Sequence, residues 1–262
     1  MPDLLARVAD ACARIADYAL ERQAADFRRW HKAGGSPVCE VDLSVDKRLR
    51  AALGGIDGDA GWLSEESEDD PSRVERRRAW VVDPLDGTRD YIRGRTGWAV
   101  SVALVENSAP VLGVLAASAR GELWTAAAGK GAWRNGERLA VTDRAELPGS
   151  RVPADTLTKA DRDLVAVPKP NGIALRMALV ASGEADFVAA GKLGHEWDVA
   201  AAALIAAEAG AVVTDATGAP LRYNKPDPRA LGVLVANPRL HGAVLERFGV
   251  VPDEVTPAKA GA

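Results

Sequence analysis

Two aspartates and a threonine follow a short apolar run in the stretch AWVVDPLDGTRDYIRG, residues 79–94. A buried strand ending at Asp83 and Asp86 would deliver both carboxylates to the rim of a sheet, where α/β folds bind ligands. Gly87 permits a close backbone approach, and a hydroxyl and free N–H groups at Thr88, in the first helical turn, would favour an anion. The stretch therefore predicts oxygen ligands for a divalent cation beside a phosphate cradle, although such Asp-rich turns also occur without function.

Further acidic residues stand at the ends of other predicted elements. Glu65 and Glu66 follow a short apolar segment, Asp42 opens a predicted helix, and Asp198 opens a helix that is rich in alanine. Taken singly, a carboxylate at a helix start can serve as a cap and nothing more. Because four separate strand or helix ends carry acids, the joint pattern favours a cage of oxygen ligands over four unrelated caps.

Cysteine and histidine are too few for a zinc site, since the chain has two cysteines, Cys12 and Cys39, and three histidines in no ligand-like pattern. Oxygen ligands favour Mg²⁺, Mn²⁺ or Ca²⁺, and Mg²⁺ pairs naturally with a phosphate ester. Two such ions close together could hold and activate a water while neutralising the leaving oxygen. No histidine lies in a nucleophilic triad pattern, so no covalent nucleophile is predicted.

The elements that must position these acids follow from apolar periodicity and turn signals. Residues 3–30 and 42–53 are predicted to be amphipathic helices, and the strands after residue 79 predict an antiparallel meander. Short strands alternate with helices in the second half of the chain. We therefore predict an α/β (α+β) fold with an N-terminal α+β half, 1–142, that carries the metal-binding loops, and a C-terminal α/β half, 143–262.

Composition narrows the classes of function. The chain has 262 residues, 47% of them hydrophobic, and a formal net charge of −4, which argues against a nucleic acid polymer as partner. It has no run of 18 apolar residues and no basic, apolar leader at its N-terminus, so neither a membrane span nor a signal peptide is predicted. Two unpaired cysteines favour a reducing, cytoplasmic setting. The tail from residue 252 is predicted to be disordered.

Four ordered motifs resemble those of the inositol monophosphatase family of Mg²⁺-dependent, lithium-sensitive phosphatases. They are SPVCEVD at 36–42, LSEES at 63–67, VVDPLDGT at 81–88 and EWDVAAAALIAAEAGA at 196–211. The resemblance runs from about residue 5 to 248, and Cys39 stands where the family usually has threonine. It implies the layered αβαβα sandwich of the sugar phosphatase superfamily.

The resemblance also implies a set of metal ligands. Glu65 would bind one metal, Asp83 would bridge two metals, and the carbonyl of Leu85 would complete the first site. Asp86 and Asp198 would hold the second metal. The implied cofactor is Mg²⁺, as two or three ions, with Li⁺ as an inhibitor.

The resemblance further implies which residues handle water and phosphate. Thr88 and Asp42 would orient the attacking water, and Glu66 would support it from behind. Backbone N–H groups of Gly87 and Thr88 would bind the phosphate. His195 is a candidate for lining the substrate pocket, although a surface or packing role fits it equally well.

Three features bear on the substrate. DGTRDYI resembles the nucleotidase branch, as does PLRYNK at 220–225, and no acid lies between Phe187 and His195, where Lys192 could meet a second phosphate. We therefore predict a 3'(2'),5'-bisphosphate nucleotidase that hydrolyses 3'-phosphoadenosine 5'-phosphate to AMP. Inositol-1-monophosphatase is the alternative, and a non-catalytic module that binds a phosphorylated ligand is a third. Relatives are often homodimers, so a homodimer is also expected.

Overall fold

The computed structural model describes residues 2–32 and 34–250. The predicted disordered tail lies outside the described residues. The helices of the described residues are α1 Pro2–Gln23, α2 Glu40–Gly54, α3 Thr88–Ile92, α4 Ile173–Ala181, α5 Glu196–Glu208 and α6 His241–Phe248, with short 3₁₀ turns at Pro71–Glu75, Ser118–Arg120 and Lys159–Asp161. The strands are β1 Arg29–His31, β2 Pro37–Cys39, β3 Gly61–Ser64, β4 Arg78–Asp86, β5 Ala99–Glu106, β6 Ala109–Ala117, β7 Glu122–Ala127, β8 Ala132–Arg134, β9 Glu137–Arg138, β10 Arg151–Pro153, β11 Val165–Val167, β12 Phe187–Ala190, β13 Gly194–His195, β14 Val212–Thr214, β15 Arg229–Ala230 and β16 Val233–Ala236.

A seven-stranded sheet in the order β3-β4-β5-β6-β7-β8-β9 forms the centre of the molecule. β3 pairs with β4 in parallel, and every later pair is antiparallel, which is the predicted meander. Alternation along β4 sends Trp80 and Val82 into the core under α1 and α2, whereas Val81 faces the core under α4 and α5. Both faces of the sheet are therefore covered by helices.

A smaller antiparallel sheet, in the order β12-β16-β14, lies beyond α4 and α5. Val188 and Val235 face the core shared with those helices, and Phe187 and Leu234 pack with α6 on the other side. The layers are thus helix, large sheet, helix, small sheet and helix. This arrangement confirms the predicted αβαβα fold class, while the division of the chain after residue 142 stays a prediction.

Several predicted boundaries were wrong. The first helix ends at Gln23 rather than near residue 30, and Arg29–His31 forms a short strand paired with Pro37–Cys39. The apolar periodicity stops in this region, and the paired backbone there satisfies its hydrogen bonds across a hairpin instead. β4 also continues past the apolar run to Asp86, with a register shift between Asp83 and Asp86 where Pro84 cannot donate to the ladder.

α5 packs directly against the large sheet at a glycine of β6. A methyl group added at Gly113 of β6 would stand 2.7 Å from the carbonyl oxygen of Ala201, which is closer than atoms in contact can approach. No side chain fits at position 113 without moving the helix. The absence of a side chain therefore sets the depth at which α5 lies, and α5 carries Asp198 in its first turn.

The C-terminal half contains a buried aspartate, Asp186, paired with Arg151, and we expect the loss of this pair to be measurable. Asp186 is buried and accepts hydrogen bonds from the backbone N–H of Arg151 at 2.7 Å, from its guanidinium at 2.9 Å and from the Thr142 hydroxyl at 2.9 Å. Burial disfavours the charged carboxylate, but these hydrogen bonds outweigh burial and hold the pKa of Asp186 below its ordinary value of 3.8. A depressed pKa in the folded state stabilises the fold above the unfolded pKa, and this stabilisation is lost as the pH falls through the folded pKa.

We expect Asp186→Asn to lower the free energy of unfolding by about 2 kcal/mol at pH 7, because hydrogen bonds to a charged group are lost. Denaturant unfolding at pH 7 and near pH 3 measures this, and the difference from wild type should shrink at the lower pH. Asp163→Asn, which removes a more exposed partner of Arg247, should cost less than about 1 kcal/mol. An equal loss at both pH values would show that the Asp186 charge is not the cause.

Candidate active site

One cavity brings together most of the residues that the sequence singled out. Its volume is about 390 Å³, and it lies where the end of β4 and the starts of α3, α4 and α5 converge. The predicted site residues that line it are Glu65, Asp83, Leu85, Asp86, Gly87, Thr88, His195 and Asp198. Acids that are far apart along the chain therefore face a common space.

Three predicted residues stand around this cavity rather than on its wall. Asp42 is buried behind Thr88 and accepts a hydrogen bond from its hydroxyl at 3.0 Å. Glu66 is turned toward Lys32, whose ammonium lies 2.7 Å from it. Lys192 lines a neighbouring and larger cavity of about 850 Å³, which shares His195 and Asp198 with the first.

The last residues of β4 and the turn that follows them are fixed by backbone geometry. The N–H of Leu85 donates to Asp83 at 3.0 Å, which fixes that carboxylate beside the carbonyl predicted to bind the same metal. Gly87 has φ 101°, in the left-handed region. A methyl group there would stand 2.5 Å from the carbonyl oxygen of Gly97, so both conformation and space require glycine.

The Thr88 hydroxyl lies between two acceptors. Its oxygen is 3.0 Å from Asp42 and 3.0 Å from the carbonyl oxygen of Leu85. A hydroxyl has one proton, so it donates to one of them at a time. Asp42 also accepts from the backbone N–H of Cys39 at 2.8 Å, and this bond fixes the carboxylate at the start of α2. This contact uses a backbone N–H, so a cysteine at position 39 supplies it as well as a threonine would.

Two of the predicted metal ligands also cap helices. Asp86 accepts from the N–H groups of Ile173 at 3.1 Å and Ala174 at 2.8 Å, at the first turn of α4. Asp198 accepts from the N–H of His195 at 2.7 Å, at the first turn of α5. The capping interpretation of Asp198 is therefore correct as geometry, and it is compatible with a second role because each carboxylate has further acceptor positions.

Lys32 is the residue that sequence reasoning missed. It follows β1, and its ammonium contacts Glu65 at 2.9 Å and Glu66 at 2.7 Å. Burial lowers the pKa of Lys32, but the charge of Glu65 and the hydrogen bonds to Glu65 and Glu66 outweigh burial and raise it. The prediction of a helix across residues 3–30 followed by a loop gave no reason to bring this lysine to the acids.

The donor set suits a cation, although the carboxylates are engaged elsewhere in this structure. Among residues 2–32 and 34–250, no group of three His, Cys, Asp or Glu side chains is arranged to hold a metal ion. Lys32 and backbone N–H groups instead form hydrogen bonds with these carboxylates. The donors that face the cavity are carboxylate and carbonyl oxygens, which is the chemistry that Mg²⁺ requires. The ligand assignments therefore stay predictions.

The raised pKa values of the carboxyl groups around the cavity also fit a site that binds a cation. Burial raises the pKa of Asp83 well above its ordinary value of 3.8, and repulsion from Glu65, Asp86 and Asp198 raises it further. Burial likewise raises the pKa of Asp86 to about 7 and that of Asp198 to about 7. A divalent cation among these groups would favour their ionised forms.

An aromatic pair stands where the two cavities meet. The rings of His195 and Trp197 are stacked with centroids 4.4 Å apart and planes 7° apart. Burial lowers the pKa of His195, so its ring is mainly neutral near pH 7. His195 packs on Trp197 and lines both cavities, and its contact with a substrate stays a prediction.

Known proteins share this fold and sequence. The model of the inositol monophosphatase family matches residues 3–250. A histidinol-phosphatase of Mycobacterium tuberculosis is 32% identical over 86% of this chain and 89% of its own length, and the 3'(2'),5'-bisphosphate nucleotidase CysQ of Escherichia coli K12 is 33% identical over 73% and 81%. The crystal structure of CysQ from Bacteroides thetaiotaomicron superposes with a TM-score of 0.75 at 27% identity, covering 90% of this chain and 97% of that one.

The fold and the acid-lined cavity define an α/β sandwich of the sugar phosphatase kind. The chain belongs to the inositol monophosphatase family. The family resemblance is thereby confirmed, and the CysQ relatives agree with its nucleotidase branch. Because members of the family are phosphatases, the assignment supports a phosphatase. Among the described residues, no helix has the length and apolar character needed to cross a bilayer.

Proposed function

We propose that the chain is a divalent-cation-dependent phosphomonoesterase acting on a small phosphorylated substrate. The observation that carries the proposal is the convergence of acids from three separate parts of the chain, Glu65, Asp83 with Asp86, and Asp198, on one cavity, with the Thr88–Asp42 hydrogen bond at its edge. Phosphate monoester hydrolysis is among the slowest uncatalysed reactions, so charge stabilisation and positioning must supply most of the acceleration. An acid-lined site beside a fixed hydroxyl suits that requirement.

Two groups of ligands would hold the cations, which we propose to be Mg²⁺, as two or three ions, with Li⁺ as an inhibitor. Glu65, Asp83 and the Leu85 carbonyl would hold one ion. Asp86 and Asp198 would hold another. When bound, the cations activate the attacking water and neutralise charge on the leaving oxygen.

The chain itself would orient the water and the phosphate. Asp42 accepts a hydrogen bond from the Thr88 hydroxyl. The lone pairs of the Thr88 oxygen are then free to accept a hydrogen bond from water. Glu66 supports this arrangement beside Lys32. Backbone N–H groups of Gly87 and Thr88 would hold the phosphate oxygens. The water oxygen would form a bond to phosphorus and give up one proton, the ester P–O bond would break, and the leaving oxygen would take up one proton, so that the products are inorganic phosphate and the alcohol.

The substrate that we propose is a 3'(2'),5'-bisphosphate nucleotide, 3'-phosphoadenosine 5'-phosphate, hydrolysed to AMP. The larger cavity opens beside the site, and both basic and apolar side chains line it. Its Lys169 is paired with Asp155, whereas exposed Lys192 forms no ion pair with the described residues. Lys192 is therefore available to a second phosphate, and the His195–Trp197 pair offers aromatic surface to a base. CysQ of E. coli carries the matching name.

Inositol 1-phosphate is the second candidate. The compact acid-lined cavity suits a substrate with a single phosphate, and the family takes its name from this activity. A non-catalytic module that binds a phosphorylated ligand is the third. A homodimer and a cytoplasmic location stay predictions.

A substrate panel tests the proposal. Phosphate release is measured from 3'-phosphoadenosine 5'-phosphate, inositol 1-phosphate, fructose 1,6-bisphosphate and histidinol phosphate, with Mg²⁺, with EDTA and with Mg²⁺ plus Li⁺. We expect the bisphosphate nucleotide to give the highest rate, EDTA to abolish it and Li⁺ to reduce it. Tight ligand binding without turnover at ample Mg²⁺ would favour the binding module. A dominant rate with another ester would reassign the substrate.

Lys192→Ala gives a sharper test of the second phosphate. Loss of a charge-assisted hydrogen bond of about 1.5–3 kcal/mol should raise KM for the bisphosphate about 10-fold or more, with kcat nearly unchanged. KM for adenosine 3'-monophosphate should hardly move. Lys169→Ala is the matched control, because that lysine already has a carboxylate partner. Equal effects of Lys192→Ala on both substrates would exclude a contact with the second phosphate.

A further inference from the structure

A buried arginine joins the loop after β3 to a loop near the C-terminus. The Arg73 side chain is 1% exposed and donates to Asp69 at 2.6 and 2.9 Å. It also donates to the side-chain oxygen of Asn224 at 2.8 Å and to the carbonyl oxygen of Lys225 at 2.9 Å. Asn224 returns a hydrogen bond from its amide to the carbonyl oxygen of Arg73 at 3.1 Å. Segments about 150 positions apart are thus fixed to each other by three direct hydrogen bonds.

A buried glutamate continues this connection to α5. Glu196 is 1% exposed and accepts from the N–H groups of Asn224 at 2.5 Å and Lys225 at 3.1 Å, with the Lys225 ammonium at 3.4 Å. Asn224 has φ 57°, a left-handed conformation that lets successive N–H groups point toward one anion. Glu196 is the first residue of α5 and lies two positions before Asp198. The Glu196 carboxylate therefore binds the loop and does not face the cavity.

The two ends of this connection carry predicted cation ligands from opposite parts of the chain. Glu65 and Glu66 lie in the loop that leads to Asp69, and Asp198 lies in the first turn of α5. Hydrogen-bonded pairing of β13 with β15 continues the same connection on the other side of Glu196. A shift of the loop at 222–228 would therefore move the start of α5 relative to Glu65.

We propose that Asp69, Arg73, Asn224, Lys225 and Glu196, which we call the Arg73–Glu196 network, position the two sets of cation ligands relative to each other. Their role is to position and not to contact the substrate. The inference deepens the proposed function, because it rests on Glu65 and Asp198 being cation ligands. Groups that orient metal ligands from behind typically change metal affinity 10- to 100-fold when removed.

Cation binding to the purified protein, freed of metal and studied without substrate, tests the network. Mn²⁺ titration followed by electron paramagnetic resonance gives the dissociation constant directly. Asn224→Gly keeps the left-handed backbone and removes both side-chain bonds to Arg73, so the fold should survive. We expect about 10-fold weaker Mn²⁺ binding or more, and the same direction for Glu196→Gln. Arg151→Met is the control, because it breaks an ion pair to the buried Asp186 and neither residue lines a cavity.

Thermal unfolding of the same variants separates positioning from mere stabilisation. If Asn224→Gly and Arg151→Met lower Tm alike while Mn²⁺ affinity falls in the former and not in the latter, the network positions ligands. If Asn224→Gly and Glu196→Gln lower Tm and leave Mn²⁺ affinity at the wild-type value, the proposal is overturned. If wild type binds no Mn²⁺ at all, the cation assignment in the proposed function fails instead.

Discussion

Replacing Asp86 by asparagine is expected to lower kcat for phosphate release by about 100-fold or more, since one charged group of a preorganised site is lost. Asp86 is buried, faces the cavity and is proposed to hold a cation together with Asp198. Asparagine has nearly the same shape but no charge, so the loss should fall on cation binding and on the transition state. Steady-state kinetics at rising Mg²⁺ measure both effects.

The fold of Asp86→Asn should persist, because the asparagine oxygen can still accept one of the N–H groups at the first turn of α4. Asp90→Asn is the matched control. Asp90 is also a buried aspartate near the same turn, and it accepts from the N–H of Asn171 at 3.1 Å, but it does not line the cavity. We expect that variant to keep most of its activity. Turnover of Asp86→Asn at the wild-type rate would refute the assignment of the site.

Thr88→Val should produce a second large loss, about 100-fold in kcat, in the range that positioned proton-transfer groups contribute. Valine keeps the branched shape of threonine but cannot donate to Asp42 or accept from water. The carboxylate of Asp42 would then remain buried with the Cys39 N–H as its described donor. Rates measured under saturating substrate and Mg²⁺ isolate this effect from binding.

Thr88→Ser is the control for Thr88→Val, because serine keeps the hydroxyl and loses one methyl group. It should retain activity within about 10-fold of wild type, the cost of a slightly less fixed hydroxyl. If serine and valine were equally inactive, the methyl group would matter rather than the hydroxyl. If valine were fully active, neither Thr88 nor its bond to Asp42 would take part in orienting water.

The sequence predicted the residues of the cavity better than the elements around it. Asp83 and Asp86 lie at the end of β4 and Thr88 begins α3, so a motif of six consecutive residues specifies their relative placement. Asp198 could be added because it opens a helix with a distinctive composition. All of these residues meet as predicted around one cavity. Local pattern suffices where strand ends and helix starts deliver side chains to the same rim.

What could not be predicted depends on contacts between distant segments. Lys32 reaches Glu65 and Glu66 through a hairpin that carries no apolar alternation, and Arg73 reaches Asn224 across most of the chain. A lysine or arginine in a polar stretch normally faces solvent, so neither residue differs from its neighbours in sequence. Charged side chains of this kind become distinctive once burial and partner are known.

The bare backbone at position 113 limits how this chain can change over evolutionary time. Since α5 packs directly against that residue, substitution even by alanine would push the helix away from the sheet and move Asp198 with the helix. A substitution at a position with no chemical role of its own would thus disturb the cation site proposed around Asp198. Laboratory libraries built on this scaffold should leave that position untouched.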